Sequence, residues 1–166
     1  NGDTYVGWTF RKAPKFFDVV TYTGNGANRT IAHSLGQVPG MIIVKRTDNT
    51  GSWMVYHNSI ANTENLVLNT TAAKATNATA WNSTPATISV FNLGTHADVN
   101  TNAASYVAYL FAHDASTDGI IQCGSFTTDG SGNATVTLGW EPQFLITKAA
   151  SSATYNDWLM FDSSRD

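Results

Sequence analysis

One stretch of this chain occurs twice, and that limits the folds open to it more than any other feature. HSLGQVPGMIIVKR, from His33 to Arg46, returns as TLGWEPQFLITK from Thr137 to Lys148. Leu35, Gly36, Pro39, Ile43 and Lys45 match Leu138, Gly139, Pro142, Ile146 and Lys148 at a single spacing of about 103 residues. In each copy Gly frees the backbone for a tight turn, Pro fixes φ and sets the next residues extended, and a short β-branched run follows. The expected structure is a turn feeding a buried strand.

The match extends in both directions. YVGWTF, Tyr5 to Phe10, is echoed by YVAYLF, Tyr106 to Phe111. FFDVVTYT, Phe16 to Thr23, ends at the Gly24-Asn25-Gly26 turn, and its echo GIIQCGSFTTDGSGN ends at Asp129-Gly130. SWMVYHNS lines up with DWLMFDSS, which sets Trp53 against Trp158, Tyr56 against Phe161 and Ser59 against Ser164. The middle, from Ile60 to Asn102, has no second copy; ENLVLN and ATISVFNL read as strands there, and TTAAKATNATAWNST as a polar connection too β-branched to favour helix.

No stretch shows the i, i+3, i+4, i+7 apolar periodicity of a capped helix. The expectation is an all-β fold, a β-sandwich of jelly-roll or lectin-like type, built of about a dozen short antiparallel strands and carrying an internal repeat of about 100 residues. On that reading residues 1–14 end a preceding repeat, 15–115 form a complete one and 116–166 begin the next, so both ends read as cuts within a longer protein. The alternative is that 1–166 closes as a single pseudo-symmetric sandwich.

Composition narrows the partners. Charged residues make up only 13% of the 166, and the net charge is −3, with no Lys/Arg cluster, so nucleic acid and anionic membrane surfaces lack an electrostatic footing. No apolar run is long enough to span a bilayer, which leaves no basis for membrane insertion. The single cysteine, Cys123, excludes an internal disulfide and lies in an apolar run, where a buried structural thiol is expected.

Catalytic and metal chemistry find little support in the residue pattern. His33, His57, His96 and His113 lack metal-binding spacing, and no Gly-x-Ser-x-Gly elbow is present. Asp114 to Gly119 and Asp129 to Asn133 offer oxygens but do not fit a calcium loop with its closing Glu. Five Asn-x-Ser/Thr triplets, at Asn28, Asn69, Asn77, Asn82 and Asn133, are what a chain rich in Asn and Thr produces by chance. No cofactor, metal or catalytic residue is assigned.

Aromatic side chains are the remaining candidates, because sugar rings stack on Trp and Tyr faces. Trp53 with Trp158, Trp8 with Tyr109 and Phe10 with Phe111 recur in equivalent places and are expected in the core. Trp81, Trp140 and Tyr155 lie in turns or polar connections with no aromatic counterpart, and these three are the candidate ligand-binding residues.

Taken together, YVGWTFRKAPKFFDVVTYTGNG, HSLGQVPGMIIVKR, SWMVYHNS, ENLVLNTTAAKAT and YVAYLFAHD resemble a repeated all-β domain of uncharacterised function found in tail fibres of marine bacteriophages, notably those infecting cyanobacteria. The resemblance covers nearly the whole chain. Its most specific parts are the His-x-Leu-Gly-x-x-Pro-Gly turn and the Tyr-Val-Ala-Tyr-Leu-Phe-Ala-His-Asp strand. The second copy departs from the first at Trp140-Glu141 and in the Ala149 to Asn156 loop.

The resemblance implies a virion component of an extracellular tail or fibre, next to other tail proteins and lectin-like sandwiches. Such fibres are commonly homo-oligomers, usually trimers. It implies a non-enzymatic role in structure and receptor binding, with a host surface glycan or protein as ligand. Two further readings stand beside it: a tailspike-type polysaccharide depolymerase using carboxylates such as Glu64 and Glu141, and a capsid-decorating or head-fibre protein.

Overall fold

A computed structural model of the chain describes residues 2–5, 7–152 and 157–163. The fold is all-β and antiparallel. Its elements in chain order are β1 (Phe17–Thr23), β2 (Arg29–Ala32), β3 (Pro39–Arg46), β4 (Met54–His57), β5 (Glu64–Val67), β6 (Ala75–Thr76), β7 (Val90–Leu93), the single helical turn α1 (Ala97–Asn100), β8 (Ser105–Ala112), β9 (Phe144–Thr147) and β10 (Leu159–Asp162). Six strands form one sheet in the order β1-β8-β3-β4-β5-β6, while β2 pairs with β7 and β9 with β10 in two-stranded sheets. Among the described residues no helix is long and apolar enough to cross a membrane.

The strand after the Gly-Pro turn is the centre of the molecule. Residues 39–44 of β3 are buried without a break, as a strand covered on both faces must be. Alternation sorts them: Ile42 and Val44 join a cluster with Leu35, Tyr56, Trp81, Phe91, Leu93, Val99, Tyr106 and Leu110, whereas Met41 and Ile43 join Val55 and Leu66 on the opposite face. The first face is closed by β2 and β7, by α1 and by the loop that carries Trp81. The second is partly closed by the chain returning after β8, which brings Cys123, Ala150 and Trp158 against it.

A polar knot ties the turns at one end of the sheet. Asn100 is fully buried; its Nδ2 donates to the Ala27 carbonyl at 2.7 Å and the Gly94 carbonyl at 2.8 Å, and its Oδ1 accepts from the Asn25 amide at 3.0 Å. Tyr22 and Tyr106 stack at 12° and donate their hydroxyls to the α1 carbonyls of Val99 and Ala97. A Cβ on Gly24 would sit 2.1 Å from the Thr101 carbonyl oxygen, so the chain can cross here only as glycine.

The two organising turns are built alike. Gly36 and Gly139 have φ of 70° and 82°, the left-handed region open to glycine. The strands they feed pair alike too: Met41↔His57, Ile42↔Tyr56, Ile43↔Val55 and Val44↔Met54 in β3–β4 correspond to Phe144↔Asp162, Leu145↔Phe161, Ile146↔Met160 and Thr147↔Leu159 in β9–β10.

Other expectations are corrected. Ten strands are described, somewhat fewer than the dozen expected, and none lies in the echo of β1: residues 116–143 contain the Asp129 turn, closed by the Asp129 amide on the Asn133 carbonyl at 2.8 Å, but no strand. The described residues of Tyr5–Phe10 also lie outside any strand. β1 owes its form to β8, against which it pairs from Phe17↔Phe111 to Thr23↔Ser105; its echo has the same pattern without such a neighbour among the described residues.

Candidate functional site

The uncovered part of the second face forms an aromatic shelf. Register creates it: Ile43↔Tyr109 and Lys45↔Val107 set these side chains next to one another on adjacent strands, and Trp53 enters just before β4, one step beyond the Val44↔Met54 pair. Trp53 lies parallel to Tyr109 within 13°, ring centres 6.5 Å apart, and Tyr109 lies parallel to Phe17 within 15° at the same separation. Trp53 and Tyr109 are half-buried, each with one part packed and another open. The Lys45 ammonium stands 6.0 Å from the Trp53 ring centre and donates to the Gly51 carbonyl at 3.2 Å.

A rigid polar turn borders the shelf. Arg46 Nε donates to Asp48 Oδ1 at 2.6 Å, and Asp48 Oδ2 accepts from the Ser105 amide at 3.0 Å. The Arg46 guanidinium, helped by that amide, holds the Asp48 carboxyl below the usual carboxylate range, so it stays an acceptor across neutral pH. With Thr47, Asn49 and Thr50 these residues enclose a shallow concave surface of about 600 Å³. Flat rings beside amide, hydroxyl and charged groups can hold the apolar face of a sugar while bonding its hydroxyls.

Two further carboxylates, Glu64 and Asp18, are committed to partners. Glu64 accepts from Lys74 at 2.6 Å and from the Ala61 amide at 3.1 Å, and Lys74 holds its carboxyl below the usual range, the wrong state for a general acid. Asp18 is buried; burial alone would raise its carboxyl, but Lys12 at 2.5 Å and the amides of Ser34 and Val19 outweigh that and lower it. No group of three His, Cys, Asp or Glu side chains among the described residues is placed to hold a metal. Cys123 sits under Gly40, its amide bonded to His113 Nδ1 at 3.1 Å, and burial pushes its thiol up to about 12.

The three aromatic candidates fare differently. Trp81 is 1% exposed, packed edge-on against Tyr56 at 5.7 Å, so it offers no face to a ligand. Although its segment is polar, it folds over the first face and drops the indole into the core. Trp140 is half-buried in the turn that opens β9, its Nε1 buried without a partner. Tyr155 lies outside the described residues. Trp53 and Tyr109, expected in the core because they recur, stand on the shelf instead. A signal was available: Met41, Ile43 and Lys45 share one face of β3, and the charge at Lys45 marks where the cover ends.

A family model described as a domain of unknown function, DUF7483, matches residues 12–166. No curated protein and no solved structure matches the chain.

Proposed function

We propose that this chain, which belongs to the DUF7483 family, is a non-enzymatic binding and structural module of an extracellular phage fibre, and that it holds host surface glycan on the Trp53–Tyr109 shelf. The observation that carries this is the parallel pair of half-buried rings beside Lys45 and the Arg46–Asp48 turn. Pre-set rings and fixed polar groups lose little freedom on binding, which suits a weak site repeated along a fibre. The virion setting is supported by the resemblance of the turn and strand motifs.

Two finer readings of the fold go with it. The matching register of β3–β4 and β9–β10 supports an internal repeat of about 100 residues. The placement of β2–β7 over one face of the six-stranded sheet supports a sandwich-like arrangement. Three copies on one stalk, the expected trimer, multiply a weak sugar contact through effective concentration.

A glycan-array screen followed by titration of the best binder tests the site. Trp53→Ala and Tyr109→Ala should each weaken binding by about tenfold, the scale of one lost stacking contact, with the fold retained. Trp140→Ala should leave it unchanged. Binding that survives loss of both shelf rings sinks the assignment.

A further inference from the structure

We propose that Asn25-Gly26 is a latent modification site: the asparagine closes on the next amide to a succinimide, which hydrolyses to aspartyl or isoaspartyl, and the Asn100 knot keeps this reaction shut in the folded chain. The inference is independent of the glycan site.

The chemistry belongs to the residue pair. The Gly26 amide nitrogen gives up its proton to solvent base and attacks Asn25 Cγ; an N–C bond forms, and the carboxamide nitrogen leaves as ammonia. Water then opens the five-membered ring at either carbonyl. One opening gives aspartyl with the main chain as before, and the other gives isoaspartyl, whose main chain runs through Cβ and is one carbon longer. Nothing is oxidised or reduced, and water is the co-reactant. Glycine is the favourable follower because no Cβ screens the attacking nitrogen. Asn1-Gly2 is the other such pair in the sequence. Asn25 and Gly26 are both exposed, so base and water reach them once the turn is free.

The fold withholds that freedom. The Asn25 amide donates to Asn100 Oδ1 at 3.0 Å, and the Gly26 amide donates to the Asn100 carbonyl at 2.8 Å. These two nitrogens define the ψ torsion of Asn25, so one buried residue locks a rotation on which ring closure depends. The carboxamide is held as well, its Oδ1 accepting from the Ala27 amide at 3.0 Å and from Asn100 Nδ2 at 3.2 Å. The hydrogen that must leave Gly26 is itself engaged, which keeps solvent base from it. Asn100 is fully buried and anchored to the Ala27 and Gly94 carbonyls, so the turn cannot drift with it. The reaction therefore runs only in the fraction of chains whose knot is open. Its two products then part ways. An aspartyl carboxylate accepts from the same two donors, whereas the longer isoaspartyl chain moves Gly26 off the Asn100 carbonyl.

The parent chain, aged at mildly alkaline pH both folded and in guanidinium, tests this by peptide mapping that resolves position 25 from position 1. Asn25 should deamidate at least about tenfold faster in denaturant than in the fold. After refolding, chains with isoaspartyl at position 25 should melt about 2–4 °C below Asn25→Asp, the scale of one lost hydrogen bond in a chain this long. Equal rates in the two samples, with the β-sheet circular dichroism of the folded one intact, overturn the proposal. So does a denatured chain that leaves Asn25 unmodified, or isoaspartyl material that melts together with Asn25→Asp.

Discussion

The two hairpins β3–β4 and β9–β10 have the same pairing, residue for residue, and opposite surroundings. In the first, Ile42, Val44, Met54 and Val55 are at most 2% exposed; in the second, Leu145, Leu159, Met160 and Phe161 are between 39% and 54% exposed. Local sequence is therefore enough to set a turn and a register, and the layers above and below decide whether the product carries stability. β3 has β8 beside it, β2–β7 over one face and the returning chain over the other, and β9 has little of this. An isolated two-stranded hairpin is marginal in water.

The largest effect that separates the hairpins is deletion of an equivalent side chain. Ile42→Ala should cost about 2–5 kcal/mol in denaturant unfolding, because it opens a cavity in a closed core. At its counterpart, Leu145→Ala should stay under about 1 kcal/mol, since most of that surface meets water already. Equal costs would break the comparison and mean that β9–β10 is buried in the working assembly.

The turns give a smaller contrast. Gly36→Ala puts a Cβ into a left-handed backbone with ordinary room around it, 3.8 Å from Pro14, so the penalty is conformational, about 1–2 kcal/mol. Gly139→Ala carries the same local penalty, but it should emerge as loss of the second hairpin with the main transition unmoved. Amide exchange at 41–44 and 144–147, compared in the two variants, separates local from global loss.

The pH effect should be the smallest. His57 on β4 has its imidazole pushed down by burial and then by His113, so the unfolded chain takes up the proton more readily than the folded one. Stability is then complete above the ordinary imidazole range near 6.5 and falls as pH drops through it. The second hairpin has Asp162 in the equivalent place and adds nothing to this imidazole effect. Thermal midpoints at pH 7.5 and 5.5 should differ less in His57→Gln than in the parent; an unchanged difference would place the sensitivity elsewhere.

Much of the fold was legible because β3, β8 and the β4 echo carry their instructions locally. Gly36 and Pro39 marked the turn, and the eight residues of β8 alternate so cleanly that Tyr106, Ala108, Leu110 and Ala112 face the first cluster. The echo of β1 misled because a strand needs a neighbour, and residues 120–127 have the pattern without one among the described residues. Trp81 misled because hydropathy along a segment does not tell where the segment folds over; a Thr- and Asn-rich connection still delivers one indole to the core. Trp53 and Tyr109 recur, and recurrence by itself does not mark the interior. A repeated position repeats its strand face, and that face is open at the Lys45 end.

The Asn100 knot has a consequence measured in time. The amide of Asn25 bonds to the Asn100 side chain and that of Gly26 to the Asn100 carbonyl at 2.8 Å, so each meets a solvent deuteron only when its bond to α1 opens. An exposed turn is thereby tied to a buried side chain. In a chain with one thiol, a protease acting on this turn must wait for the same bonds to break.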